Sequence, residues 1–318
     1  MARQAFLLHA LTPLHAGTGH AAGIIDLPIA RMKATGIPFV PGSSTKGVLR
    51  AACPTGGTEN DGSNKKLAVF GPDPKDGDAS LHAGALVVGD ARLLALPVRS
   101  FKGTFAWVTS PLLLRLALRD LERTIKDYPI PTLVAGNAHV TSMNCVALVP
   151  NPNTNTPAGQ NNLVDKLLLE DLDLDVTVVA AGTSVHKWAK LINDAVFSDE
   201  QFFTKRFAIV DDETMTFLWE TATQLDQRVR INEETRTVAT GALWLKESLP
   251  PETLLIGLME ADKSRRTKGT TAVDMTAEAV IDFGLHGTAP APRNEIVLQF
   301  GGKASIGRGR CRLLPVTR

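Results

Sequence analysis

The apolar segments of this chain are short, and their spacing changes repeatedly between the strand period and the helix period. Leu172 to Val178 alternates apolar and polar residues strictly, which is typical of a strand with one buried face. Ser110 and Pro111 open a segment of helical leucine spacing, since serine caps a first turn and proline is tolerated in it. Strands and helices do not alternate steadily, so the pattern predicts an α+β fold rather than a doubly wound sheet.

The domain organisation follows from the absence of clear boundaries. No internal repeat and no linker divides the 318 residues, so we expect one domain spanning residues 1–318 with insertions. Residues 53–80 and 150–162 are rich in Gly, Pro, Asn and Asp and are interpreted as surface loops. Residues 228–249 contain two strand-like segments around a turn at residues 232–236, which predicts a β-hairpin.

Charge and aromatic content limit the ligands that such a chain can recognise. The net charge is +1 and aromatic residues make up 5% of the chain, whereas proteins that read unpaired bases by stacking usually carry more aromatics. A free-standing nucleic-acid binder is also usually more basic. Any RNA binding should therefore depend on local basic patches that contact the RNA backbone, or on a ligand shared with partner subunits.

The cysteines and the apolar runs indicate the compartment. Cys53, Cys145 and Cys311 are far apart and form no C-x-x-C pair, so a disulfide framework and a cysteine zinc site are disfavoured. No 18-residue apolar run occurs, and the first residues contain no long apolar leader segment. We expect a cytoplasmic protein without a membrane partner.

Two glycine-rich segments are candidate phosphate sites. In residues 301–309, glycines allow close approach of the backbone to a polyanion, and Lys303 and Arg308 supply charge, although a mobile turn between strands explains the segment equally well. Residues 42–47 precede or begin a helix, whose free amides attract phosphate. Capping by Ser43 or Ser44 is the simpler explanation there, and the spacing is not that of an ATP-binding P-loop.

Asp26 and His15 are candidate catalytic residues. Asp26 is a lone acid among aliphatic residues, and its carboxylate can hold a divalent metal against a phosphate or orient an attacking 2′-hydroxyl. His15 can transfer a proton. On the local sequence alone, a turn-capping role for Asp26 and a structural role for His15 are favoured, because one acid is a sparse metal site.

Several segments together resemble one family. They are residues 11–19 (LTPLHAGTG), 25–29 (IDLPI), 41–47 (PGSSTKG), 228–231 (RVRI), 241–244 (GALW), 247–250 (ESLP) and 301–309 (GGKASIGRG). In this order they resemble the RAMP superfamily, in particular the repeated backbone subunit of type III-B (Cmr-type) CRISPR effector complexes. The resemblance covers nearly the whole chain.

This resemblance implies a fold and an activity. The fold would be a ferredoxin-like (RRM-like) RAMP core, with residues 228–249 as a thumb hairpin that distorts a guide–target duplex. Copies of the chain would stack along a guide (CRISPR) RNA together with other type III effector subunits. The chain would act as an endoribonuclease within that complex, cutting complementary target RNA at regular intervals with a divalent metal, Mg²⁺, at Asp26. The implied RNA-binding residues are Ser43, Ser44, Lys46, Arg50, Gly301, Gly302, Lys303 and Arg308.

Two other functions stay open at this point. The chain could be a non-catalytic RNA-binding subunit of the same kind of complex, although an acid at position 26 favours cleavage. It could instead be an unrelated nucleotide-binding enzyme that uses the glycine-rich segments, against which the lack of P-loop or G-x-G-x-x-G spacing counts.

Overall fold

A computed structural model describes residues 1–18, 25–53, 59–72, 82–121, 128–150, 163–197, 201–264, 273–287 and 295–316. In chain order its elements are β1 (Ala2–Ala10), β2 (Phe39–Val40), α1 (Gly42–Ala52), α2 (Glu59–Phe70), β3 (Leu86–Val88), β4 (Ala91–Arg99), β5 (Phe105–Thr109), α3 (Pro111–Leu121), β6 (Asn137–Val140), β7 (Val146–Pro150), β8 (Leu163–Leu169), β9 (Leu172–Val178), α4 (Ser184–Val196), β10 (Phe207–Val210), α5 (Asp212–Thr221), β11 (Gln224–Ile231), β12 (Val238–Ser248), β13 (Leu254–Ala261), α6 (Ala277–His286), β14 (Ile296–Gln299) and β15 (Arg310–Pro315).

The chain separates into two compact units. The first unit comprises Met1–Arg92, Leu225–Pro251 and Leu255–Arg318, and the second comprises Leu93–Gln224 and Glu252–Leu254. The second unit therefore interrupts the first in chain order. The interpretation of residues 1–318 as a single domain with insertions stays a prediction.

The first unit contains a ferredoxin-like core. Its principal elements follow the order β1, α1, β3, β13, α6, β15, and the strands lie side by side as β15-β1-β13-β3. This βαββαβ order with interleaved strands is the ferredoxin-like arrangement, which confirms the predicted α+β class. β1 pairs antiparallel with β15 from Phe6 opposite Pro315 to Ala10 opposite Cys311, and Phe6 and Leu8 are fully buried.

Helix α6 differs from its predicted bounds. The sequence pattern predicts a helix over residues 271–283 closed by Gly284, but the helix begins after Thr276, whose side chain accepts from Ala279 N, and ends at Gly287. Gly284 lies inside the helix, where a β-carbon would come within 2.8 Å of the Leu86 side chain. The prediction was wrong because this glycine serves close packing rather than helix termination.

The predicted surface loop over residues 53–80 is also partly wrong. It contains α2, which ends with the buried residues Ala68, Val69 and Phe70. Burial of this apolar end against α6 outweighs the low helix propensity of the residues before it. Residues 73–81, and residues 151–162 of the second predicted loop, lie outside the described residues.

The second unit is built on a mixed sheet. Its strand order is β4-β5-β10-β6-β9-β8-β7, with β5 parallel to β10 and β6 parallel to β9. Trp107, Phe203 and Phe207 form its aromatic centre and are at most 1% exposed. The predicted helix after Ser110 and the predicted strand Leu172–Val178 are both confirmed. The polar face of β9 carries the exposed Asp173 and Asp175, which form ion pairs with Lys166.

Strands β11 and β12 form a separate two-stranded hairpin in the first unit. Its turn is fixed by Asn232, whose backbone N–H donates to Thr237 O and whose side chain accepts from Glu234 N. The hairpin predicted at residues 228–249 is confirmed, with strands that begin and end somewhat beyond the predicted segments. None of the helices in the described residues is long and apolar enough to cross a membrane.

Candidate functional site

A short segment after Ile25 lies along β12 and carries Asp26. Leu27 N donates to Leu245 O at 3.1 Å, and Glu247 N donates to Leu27 O at 3.0 Å. One carboxylate oxygen of Asp26 accepts from Leu245 N at 2.8 Å, while the side chain is exposed to solvent. β12 therefore binds a surface carboxylate through one of its two oxygens.

His15 lies at the same strand but is buried. Its Nδ1 is 2.7 Å from Glu247 O, and since a carbonyl oxygen can only accept, Nδ1 carries the proton in the neutral ring. Nε2 is then an unprotonated acceptor. Burial, followed by the positive charges of Lys246 and Lys303, lowers the pKa of His15 against the opposing effect of the Glu247 hydrogen bond. The lowered pKa favours the neutral imidazole of His15, in which Nε2 is a hydrogen-bond acceptor.

The glycine-rich loop between β14 and β15 packs on the backbone of His15. Gly302 N donates to His15 O at 3.1 Å, and Gly309 N donates to Pro13 O at 2.9 Å. A β-carbon at Gly301 would lie 2.2 Å from His15 O, so the contact requires glycine. Lys303, exposed on this loop, adds a positive charge near His15. The structure thus brings His15, Gly301, Gly302 and Lys303 together, and their roles in catalysis and RNA binding stay predictions.

A cluster of cations, partly buried, lies beside this loop. Arg308 Nη2 is 2.8 Å from the Asp226 carboxylate, and Arg228 is 3.9 Å from the same oxygen. Lys246 is 1% exposed, and its Nζ has no hydrogen-bond partner among the described residues. Burial, then the charges of Arg308 and Arg228, lower the pKa of Lys246. Arg308 is therefore engaged by Asp226, and the cluster has an excess of positive charge that attracts anions.

The start of α1 is arranged differently from the prediction. Ser43 and Ser44 do not cap the helix: they lie inside its first turn, after Pro41, and Asp90 accepts from Gly42 N at 2.8 Å instead. The capping interpretation was wrong because a carboxylate distant in sequence supplies the acceptor. Ser43 is exposed.

Two basic residues of α1 bind carbonyl oxygens of the chain itself. Lys46 Nζ donates to Leu86 O at 2.7 Å, and Arg50 donates to Gly71 O at 3.0 Å. Burial lowers the pKa of Lys46. These contacts give both side chains a structural role, and their part in RNA binding stays a prediction.

The sequence assigned no role to Lys246, and Glu247 entered only as part of the resemblance segment at residues 247–250. Both are buried charged residues at the end of β12, Glu247 being 2% exposed. An adjacent lysine and glutamate in a strand bounded by apolar residues is a weak signal of a buried ionic network, since buried charges are rare unless they are paired. His20 and most of the glycine-rich segment at residues 17–23 lie outside the described residues.

Among the described residues around Asp26, a metal ion would need further ligands from a bound RNA and water. Among the described residues, no group of three His, Cys, Asp or Glu side chains could hold a metal ion. Mg²⁺ commonly binds through one or two carboxylates and completes its shell with water and substrate phosphates. An exposed carboxylate with one oxygen free of the Leu245 contact fits that mode, with RNA oxygens as the further ligands.

Gly17 permits a steric test of the histidine. A β-carbon at position 17 would lie 2.6 Å from His15 Nε2. We expect Gly17→Ala to obstruct the base and lower any His15-dependent activity roughly tenfold, the scale of a small misplacement of a catalytic group. Single-turnover rates of the assembled protein measure this effect. Gly182→Ala in the second unit is the control, since a β-carbon there meets nothing within 4 Å. Equal rates for Gly17→Ala and wild type would contradict a role for Nε2.

Comparisons of the sequence and of the structure with known proteins point to the same family. The chain matches the RAMP superfamily over residues 7–312. It is 34% identical over 306 residues to the CRISPR system Cmr endoribonuclease Cmr4 of Pyrococcus furiosus, covering 95% of this chain and 92% of that protein. The crystal structure of oligomeric Cmr4 from the same organism aligns over 100% of both chains, with 28% identity and a TM-score of 0.67.

A more distant structure shares the fold. A chain of the type III-B Cmr-beta complex bound to cognate target RNA, determined by cryo-electron microscopy, aligns over 99% of this chain and 98% of its own length. The identity is 20% and the TM-score is 0.66.

Proposed function

This chain belongs to the RAMP superfamily, and from that membership we propose that it is a repeated backbone subunit of a type III-B CRISPR effector complex. In that complex it binds guide RNA and cleaves the complementary target RNA. The relative named an endoribonuclease shares 34% of its residues with this chain over nearly the full length of both.

The attachment of Asp26 and His15 to one strand supports cleavage by this chain. β12 binds the exposed Asp26 carboxylate through Leu245 N and the buried His15 through Glu247 O. Gly302 then ties the glycine-rich loop to His15. Together, a carboxylate and a base bound to β12 and a glycine-rich loop bound to that base provide the groups that RNA strand cleavage needs.

These residues suit attack by a 2′-hydroxyl of the target RNA on its adjacent phosphate. His15 Nε2 accepts the hydroxyl proton, the O2′–P bond forms, and the P–O5′ bond breaks, so that the products are a 2′,3′-cyclic phosphate and a 5′-hydroxyl end. Asp26 orients the attacking 2′-hydroxyl. The positive charges of Lys303 and Lys246 stabilise the negative charge that develops on the non-bridging oxygens of the phosphate. A proton reaches the leaving O5′ from solvent.

The β11–β12 hairpin is proposed to act as the thumb that distorts the guide–target duplex. Regular A-form geometry prevents in-line attack by the 2′-hydroxyl, so a distorted step is needed to align the reacting atoms. Leu225, Val229 and Ile231 lie at alternating positions of β11 and are about half exposed, which gives the hairpin an exposed apolar face. Inserted apolar side chains can unstack neighbouring bases.

A divalent metal ion, Mg²⁺, is proposed as the cofactor. Asp26 would hold it together with RNA oxygens, and the ion would supply charge neutralisation at the reacting phosphate. The partners are guide RNA, target RNA, further copies of the chain and other effector subunits, in the cytoplasm. The relative crystallised as an oligomer and the related complex bound to cognate target RNA support the assembly.

The function is tested with the assembled complex. Labelled RNA complementary to the guide is expected to yield regularly spaced fragments with Mg²⁺ and none after removal of divalent ions by a chelator. A non-complementary RNA and the isolated subunit serve as controls, and both should be cut weakly or not at all, because the distorted substrate requires assembled neighbours. Fragments that persist undiminished in chelator would contradict the metal requirement while leaving RNA cleavage intact.

A non-catalytic RNA scaffold is the second candidate. The bond from Leu245 N to Asp26 favours it, since that contact alone gives the carboxylate a structural purpose. An Asp26→Asn complex that cuts at the wild-type rate would support this alternative.

A further inference from the structure

We infer that Glu247 is a positioning residue of the cleavage site, which fixes His15 and the Asp26 segment relative to each other. This inference rests on the proposed function. Glu247 has hydrogen bonds to both parts, and the resemblance carried by residues 247–250 assigns it no role of its own.

The backbone of Glu247 connects the two candidate catalytic residues. Its N–H donates to Leu27 O at 3.0 Å, next to Asp26, and its carbonyl accepts from His15 Nδ1 at 2.7 Å. The same residue therefore sets the position of the carboxylate segment and the tautomer of the base. A shift of β12 at this point would move both groups.

The side chain of Glu247 also binds the segment that carries Asp26. One carboxylate oxygen accepts from Ile29 N at 3.0 Å, and the other is 2.5 Å from Arg31 Nη2. Together with the backbone pairing of Leu27, these contacts hold the segment from Asp26 to Arg31 along β12. The carboxylate is 2% exposed, and burying a charge is costly unless it is fully paired, so the network is specific rather than incidental.

Glu247 also acts on His15 through its charge. The carboxylate raises the pKa of His15, while burial, Lys246 and Lys303 lower it. The charged groups that face His15 from β12 and from the glycine-rich loop are thus Glu247, Lys246 and Lys303. Removal of the Glu247 charge should lower the pKa of His15 further, which distinguishes a positioning residue of the site from a purely structural one.

The test compares Glu247→Gln with Arg31→Gln in the complete complex. The glutamine amide oxygen still accepts from Ile29 N, but the ion pair with Arg31 is lost. We expect the single-turnover cleavage rate of Glu247→Gln to fall roughly tenfold while target affinity stays within about twofold. The acidic limb of its pH–rate profile should move to lower pH. Arg31→Gln leaves the carboxylate charged and less compensated, so its acidic limb should move to higher pH or stay in place.

Glu260→Gln is the matched control, because it breaks the ion pair of Glu260 on β13 with Arg3 on β1, in the same unit but outside the residues of the proposed site. Its rate and pH profile should equal those of wild type. Unchanged cleavage in Glu247→Gln, or limbs that shift in the same direction in both test variants, would overturn the inference. A complex in which Asp26→Asn also cuts normally would instead overturn the proposed function.

Discussion

Asp26→Asn is expected to abolish regular cleavage of the target RNA while leaving target binding intact. The asparagine amide oxygen can still accept from Leu245 N, so the contact with β12 and the local fold should survive. The variant loses the negative charge that orients the reacting group and holds a divalent ion. Loss of one group that stabilises a transition state typically costs about 10²–10³-fold in rate, and we expect at least that loss.

Single-turnover cleavage and target affinity, measured on the same assembled complex, separate the two properties. Asp171→Asn is the control, because Asp171 is an exposed carboxylate of the second unit and is not one of the residues of the proposed site. Its complex should cut at the wild-type rate. Equal losses of binding and cleavage in Asp26→Asn would indicate structural damage rather than a chemical role.

Gly301→Ala is expected to displace the glycine-rich loop from His15. The backbone of Gly301 has φ +67°, a left-handed conformation that costs a residue with a β-carbon about 1–2 kcal/mol. The new β-carbon would also lie 2.2 Å from His15 O, and overpacking of this kind costs about 1–3 kcal/mol more. The free energy of unfolding should therefore fall by several kcal/mol, and cleavage should fall with it, because Gly302 would lose its bond to His15.

Gly307→Ala in the same loop measures the cost of the left-handed backbone conformation alone, so its difference from Gly301→Ala gives the cost of the steric clash. Gly307 has φ +76°, but a β-carbon there meets nothing within 4 Å. We expect Gly307→Ala to lower the free energy of unfolding, measured by chemical denaturation, by about 1–2 kcal/mol. Equal destabilisation by the two substitutions would show that the close packing of Gly301 on His15 is unimportant.

The parts of the fold that were predictable are those with strong local signals. Strict alternation in Leu172–Val178 specified β9, and Ser110 with Pro111 specified the start of α3. Helix α2 was missed because its stability comes from burial of Ala68, Val69 and Phe70, which composition does not reveal. The end of α6 was misplaced because a glycine can serve packing as well as termination.

The candidate site could be predicted only in part from the sequence. Asp26 and His15 were named through the family resemblance, since each alone favours a structural role. Their attachment to β12 depends on pairing between residues more than 200 positions apart, for which no local pattern exists. The sequence did not reveal the burial of Glu247 and Lys246 for the same reason, because burial is a property of the folded unit.

The most direct test of the central claim, that this chain cuts the target, mixes wild-type and Asp26→Ala subunits in one complex. Each copy in the stack should cut only the site that it contacts. The intensity of every regularly spaced fragment should therefore fall in proportion to the fraction of variant copies, while total bound target stays constant. A fragment pattern that does not change with this fraction would assign the cleavage to another subunit and leave this chain as an RNA scaffold.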